Sequence, residues 1–133
     1  MSEPRFVIDH AGLEVSDFAR SRAFYEAALA PLGFSVQIDF SEQFKAMGFG
    51  VPGKPSFWIR ESGESSGRVH VAFHATDRAR VDAFHEAALA VGGTDNGAPG
   101  VREQYHPTYY GAFVLDPDGN NVEAVCHLPP TER

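Results

Sequence analysis

The chain has 133 residues, 43% hydrophobic and 22% charged, which suits one folded domain with its own core and excludes disorder and fibrous repeats. Its 11 basic and 18 acidic residues leave a net charge of -7 with the histidines neutral, so a nonspecific grip on nucleic acid or anionic lipid would work against the protein's own field. No apolar run approaches the roughly 18 residues of a membrane helix, the opening MSEPRF lacks the basic start and apolar stretch of a signal peptide, and the lone Cys126 can form no internal disulfide, so the expected location is the cytoplasm.

In chain order, the alternating apolar residues Val7, Ala11, Leu13 and Val15 read as a first strand. It ends at Ser16-Asp17, whose side-chain oxygens can cap a helix running to Gly33. Phe34–Asp39, Phe44–Val51 and Ser56–Arg60 follow as shorter strand candidates, and Glu61–Gly67 is a polar, flexible connector. Val69, Val71, Phe73 and Ala75 then repeat the strand pattern, and Thr76-Asp77 repeats the cap. The next helix carries Val81, Phe84, Ala88 and Val91 at helical spacing and stops at Gly92-Gly93. Gly92–Tyr109, rich in Gly, Pro and Asn, is long for a connection and reads as a lid over a site. Tyr110–Leu115 and Asn121–His127 close the chain as two strands around the turn Asp116-Pro117-Asp118-Gly119-Asn120.

The two halves are copies of one unit. Sliding the chain by sixty residues aligns His10–Gly33 with His70–Gly93, and half of the aligned residues are identical, among them His10 and His70, Asp17 and Asp77, and Phe24 and Phe84. The unit is a strand, a helix and about three strands, used twice within a single domain spanning 1–133, with module one at about 6–61 and module two at about 68–128.

Strand parity points to the chemistry. If Leu13 and Val15 face the helix, then His10, Gly12 and Glu14 face the other way, and the equivalent set in module two is His70, Ala72 and His74. A pseudo-two-fold relation would bring His10 and His70 together across a common cavity, where paired imidazoles are the usual nitrogen ligands of a divalent metal. Glu123, an acid between apolar neighbours on the last strand, can complete the set, because a buried carboxylate needs a cation or a positive group beside it. The matching place in module one falls on Phe57 or Trp58, neither of which can ligate. Two histidines and one carboxylate leave positions open to substrate, a catalytic geometry. His74 lies on the same face as a candidate base or supporting donor. His106, Tyr109 and Tyr110 lie in or beside the lid as candidates to orient substrate, and Trp58 and Arg60 can offer an apolar wall and an anion contact. Cys126 has the opposite parity to Glu123 and reads as a small core residue.

The opening Ile8–Asp17, the helix Ser21-Arg22-Ala23-Phe24-Tyr25, the second opening Val69–Phe73 and the ending Asp116–Glu123 together resemble the vicinal oxygen chelate superfamily, also called the glyoxalase, bleomycin resistance protein and dioxygenase superfamily. The resemblance implies an α+β fold in which two tandem βαβββ modules form an open, cupped mixed sheet with helices on its outer face. It also implies a homodimer, with His10, His70 and Glu123 in ligand positions. The spacing from His106 to Glu123 follows the closing motif of extradiol dioxygenases, with Phe113 where that motif has a tyrosine. The expected function is a glyoxalase/dioxygenase-like small-molecule metalloenzyme of lyase, isomerase or dioxygenase type. An ion such as Fe2+, Mn2+, Ni2+ or Zn2+ would act as Lewis acid on a substrate bound through vicinal oxygens, with Glu123 and His74 as catalytic groups. Trp58, Arg60, His106, Tyr109, Tyr110 and Phe113 would contact the substrate. The alternative is a metal-free, bleomycin resistance-type protein that sequesters a drug or metabolite, and neither reading involves nucleic acid or membrane.

Overall fold

The computed structural model describes residues 7–65 and 67–130. The opening MSEPRF, with the expected start of module one, and Ser66 of the connector lie outside the described residues. In chain order the elements are β1 (Ala11–Val15), α1 (Phe18–Leu29), a short 3-10 turn (Ala30–Leu32), β2 (Ser35–Phe40), the single turn α2 (Ser41–Phe44), β3 (Ala46–Val51) and β4 (Lys54–Glu61). Module two follows with β5 (His70–His74), α3 (Arg78–Ala90), β6 (Thr94–Val101), β7 (Tyr110–Leu115) and β8 (Asn121–Cys126). They form two open four-stranded sheets of the same topology, ordered β1-β4-β3-β2 and β5-β8-β7-β6. In each sheet the first strand runs parallel to the last, and the other neighbours are antiparallel. This is the duplicated α+β unit expected from the repeat.

The helices begin where the capping pairs lie. The Asp17 carboxylate accepts from the Arg20 N–H at 3.2 Å, and Asp77 accepts from the Arg80 N–H at 2.9 Å, each satisfying a donor left free at the helix start. Gly33 ends the first helical stretch in the left-handed region, φ 91°. Each helix covers its own sheet, and α1 also packs against α3. Leu13, Val15, Phe24, Tyr25, Phe49, Ile59, Val81, Phe84 and Val114 are buried between the layers. The two modules share this core: the ring of Phe73 on β5 lies 5.1 Å from that of Phe57 on β4 and 6.1 Å from that of Phe34.

Polar ties reinforce the contact between modules. The buried Tyr25 hydroxyl on α1 donates to Asp116 at 2.5 Å. The same carboxylate accepts from the Asn120 side chain at 3.0 Å and from the backbone N–H groups of Asp118 and Asn120, so its burial is compensated. Ser16 binds the neighbouring Asp118 through both its hydroxyl and its N–H. The turn that reads in the sequence as hairpin punctuation is thus also the strut between modules.

The segment expected as one long lid is divided. Thr94–Val101 is an edge strand, β6, paired antiparallel with β7 through two register shifts at its glycines. An edge strand tolerates the proline and glycines that hid it, because one side of its ladder needs no partner and bulges absorb the irregularity. Only the loop from Arg102 to Tyr109 remains of the lid.

Candidate functional site

β5 and β8 are parallel neighbours with Ala72 opposite Glu123, so His70 and Glu123 emerge close together on the face turned away from α3. His70 Nε2 lies 2.8 Å from Glu123 Oε1. The carboxylate is 1% exposed and the imidazole 54%, so the acid forms the floor and the histidine the rim. The hydroxyl of Tyr109 donates to the other oxygen, Oε2. This reach depends on Gly111, where a Cβ would stand 3.2 Å from the Tyr109 ring and 3.3 Å from Glu123 Oε2. Burial, and then the hydrogen bond to Glu123, holds the Tyr109 phenol well above its ordinary range. Tyr109 thus brings a phenol to Glu123 from the end of the loop.

Phe113 lies opposite Glu123 on β7, its ring 6.4 Å from that of His70. The Arg102 guanidinium lies over the same ring, 5.3 Å from its centre. Arg102 carries no signal in the sequence, because an arginine in an irregular Gly-rich stretch has no periodicity to orient it. Two histidines support Tyr109. The Thr108 N–H donates to His106 Nδ1 at 3.2 Å, which leaves the His106 Nε2–H to donate to His127 Nδ1 at 2.9 Å. The Tyr109 ring sits edge-on to both imidazoles at 5.4 Å.

Other expected residues lie elsewhere. Tyr110 has the parity of Ala112 and Val114, so it faces α3: its hydroxyl donates to Asp82 at 2.7 Å and Arg78 lies over its ring. Burial, then the bond to Asp82, pushes its phenol up to about 12, and the side chain is turned away from the Glu123 face. His74 stacks at 6.4 Å on His127 and lines a cavity of about 190 Å³ between the modules with Leu29, Phe34, Phe49 and Phe57. Trp58 and Arg60 line a separate hollow made of module-one residues. There Trp58 stacks on Phe40 at 6.1 Å above Gly12 and Gly48, and Arg60 pairs with Glu14 at 3.2 Å.

His10 precedes β1 and is held on the module-one side. Its Nδ1 lies 2.8 Å from Asp9, whose other oxygen binds Lys54 at 2.7 Å. These two partners, His10 first, hold the Asp9 carboxyl below its ordinary range. Among the described residues of one chain, no three His, Cys, Asp or Glu side chains converge on a point that could hold a metal ion. Within the chain His10 does not join His70 and Glu123 in such a group: it is tied to Asp9, which binds Lys54, while the modules meet through α1, α3 and their aromatic core.

A family model described as a glyoxalase-like domain matches residues 5–125. The chain belongs to the glyoxalase-like domain family. A glyoxalase/bleomycin resistance protein from Albidiferax ferrireducens T118 is 28% identical, with a TM-score of 0.76 over 92% of this chain and 100% of that one. A glyoxalase/bleomycin resistance protein/dioxygenase family enzyme from Burkholderia phytofirmans PsJN is 23% identical, with a TM-score of 0.69 over 90% and 98%. A lactoylglutathione lyase from Agrobacterium tumefaciens is 21% identical, with a TM-score of 0.66 over 93% and 95%. The last two bear on the fold alone. No curated protein matches the sequence. Family and fold agree with the vicinal oxygen chelate superfamily.

Within this glyoxalase-like domain the repeat registers resolve one ambiguity. Gly12 lies opposite Trp58 on β4 as Ala72 lies opposite Glu123 on β8, so Trp58, not Phe57, is the module-one counterpart of Glu123. The fold accepts an indole at that position and needs no acid there. An imidazole and a carboxylate 2.8 Å apart suit a divalent ion by donor chemistry, and one chain supplies two donors of such a set.

Proposed function

We propose that this glyoxalase-like protein is a homodimeric, metal-dependent enzyme acting on a small molecule through two neighbouring oxygens, by lyase, isomerase or dioxygenase chemistry. His70 and Glu123 would supply two ligands, and His10 of a second copy the third. The observation that carries this reading is Glu123 itself: burying a carboxylate costs free energy, and the duplicate position in module one does without one. Supporting it, His10 is exposed, and module one presents Phe40, Phe44 and Trp58 on an open face of the kind that a partner covers.

When bound, a divalent ion such as Fe2+, Mn2+, Ni2+ or Zn2+ would draw electron density from the substrate oxygens. Glu123 would accept a proton from the carbon beside a substrate carbonyl, within hydrogen-bond reach. Tyr109, as donor to Oε2, would fix the plane of that carboxylate, and the Phe113 ring would exclude water from beneath the substrate. The reading includes a cytoplasmic location, since the single, buried Cys126 makes no disulfide within the chain; no helix among the described residues is long and apolar enough to cross a membrane.

The competing reading is metal-free sequestration of a small ligand, favoured by the separation of His10 from His70 within one chain. Metal content after gentle purification distinguishes them. Stoichiometric metal that disappears in His70→Ala and Glu123→Gln supports the enzyme; metal-free wild-type protein that still binds a ligand tightly supports sequestration.

A further inference from the structure

Three arginines are matched with acids, Arg22 with Glu26, Arg60 with Glu14 and Arg80 with Asp77, and Arg78 lies over the Tyr110 ring beside α3. Arg102 instead binds backbone next to the candidate site. Its Nη1 donates to the Gly100 carbonyl at 2.9 Å and its Nη2 to the Ala98 carbonyl at 2.8 Å. No carboxylate pairs with it among the described residues. A guanidinium has five N–H donors, and the two carbonyls take two of them. The group is half-buried and lies over Phe113, the ring that also borders His70 and stands opposite Glu123.

The backbone is shaped to admit this group. A Cβ at Gly97 would come within 3.1 Å of Arg102 Nη2, and one at Gly100 within 3.2 Å of Nη1. Gly97 also adopts φ 151°, a conformation that other residues seldom take. Two glycines and two carbonyls thus hold a planar, partly dehydrated cation in one orientation beside the candidate site, at a cost that an idle surface charge would not require.

We propose that Arg102 is a specificity-determining residue that receives a carboxylate group of the substrate, the acyl chain or ring of which lies along Phe113 toward His70 and Glu123. A single guanidinium facing a site that already contains Glu123 balances a monoanion better than a dianionic phosphoryl group, and its remaining donors suit a planar carboxylate. Partial burial strengthens the attraction by limiting competition from water. The chain's overall charge of -7 does not oppose this, since the field at the site is set by the groups that face it. The proposal deepens the reading of this face as a substrate site and holds whether or not a metal is bound there.

Benzoate and benzamide, equal in shape and different in charge, test it. Titrated into metal-free protein, benzoate should bind about tenfold more tightly than benzamide, with loss of this preference in Arg102→Gln and partial retention in Arg102→Lys. In the wild type, the NMR signal of the Arg102 Nε–H should shift with benzoate and stay in place with benzamide, a result that needs no variant to fold. Equal binding of the two probes, binding of neither at millimolar concentration, an unmoved Arg102 signal, or a preference that survives in folded Arg102→Gln would overturn the proposal. Because no metal is present, failure of the metalloenzyme reading leaves these outcomes unchanged, and their failure leaves that reading standing.

Discussion

Tyr109 and Tyr25 both place a phenol against a carboxylate, one at the candidate site and one between modules. Tyr109→Phe removes the donor that steadies Glu123 Oε2; for the metal centre proposed at Glu123, loss of such an orienting group should cost about 10- to 100-fold in metal affinity, which competition against a chelator would measure. Tyr25→Phe leaves the buried Asp116 without its hydroxyl partner, and urea unfolding should show a loss of about 1–3 kcal/mol. Burial, together with Asp116, raises the Tyr25 phenol well above its ordinary value of 10.0. The folded pKa exceeds the unfolded one, so this contribution is fully present below about pH 10 and is lost as pH rises further. Unfolding free energy should therefore fall on the alkaline side, less steeply in Tyr25→Phe. The placing of His70 was legible in the sequence through the repeat and its strand parity, and that of Glu123 through its position as an acid between apolar neighbours on the last strand. The reach of Tyr109 and Arg102 was not, since both leave irregular backbone, where no period sets direction.

Among the elements, the β3–β4 hairpin is the least tolerant of change. At the register shift after Phe49, a Cβ on Gly50 would stand 1.9 Å from the Lys54 carbonyl oxygen, so Gly50→Ala must open the hairpin. The expected loss is on the order of 2–4 kcal/mol by chemical denaturation. Gly53, three residues on, has φ 82° with nothing near its missing side chain, so Gly53→Ala should cost only about 1 kcal/mol of backbone strain. Strands with alternating core residues and helices with Asp caps were readable in advance to within a few residues. β6 was not: Gly97, Pro99 and Gly100 signal a loop, yet an edge position accommodates them, and being at an edge is a property of the sheet that local sequence does not carry.

At the scale of the molecule, the two modules are joined within the chain by Phe57 against Phe73, Tyr25 to Asp116 and Ser16 to Asp118. Parity could orient His10 and His70 relative to their own sheets, but how the sheets face one another is decided by this packing, and it keeps the two imidazoles apart. The proposed metal centre therefore depends on a second copy. Mixed dimers of His10→Ala and His70→Ala chains test this most directly. If each site draws His10 from one chain and His70 and Glu123 from the other, one of the two sites in a mixed dimer keeps all its ligands. The mixed dimer should then hold roughly half the metal of the wild type while each parent variant holds almost none. A mixed dimer as empty as its parents, beside a metal-loaded wild type, would contradict the shared site.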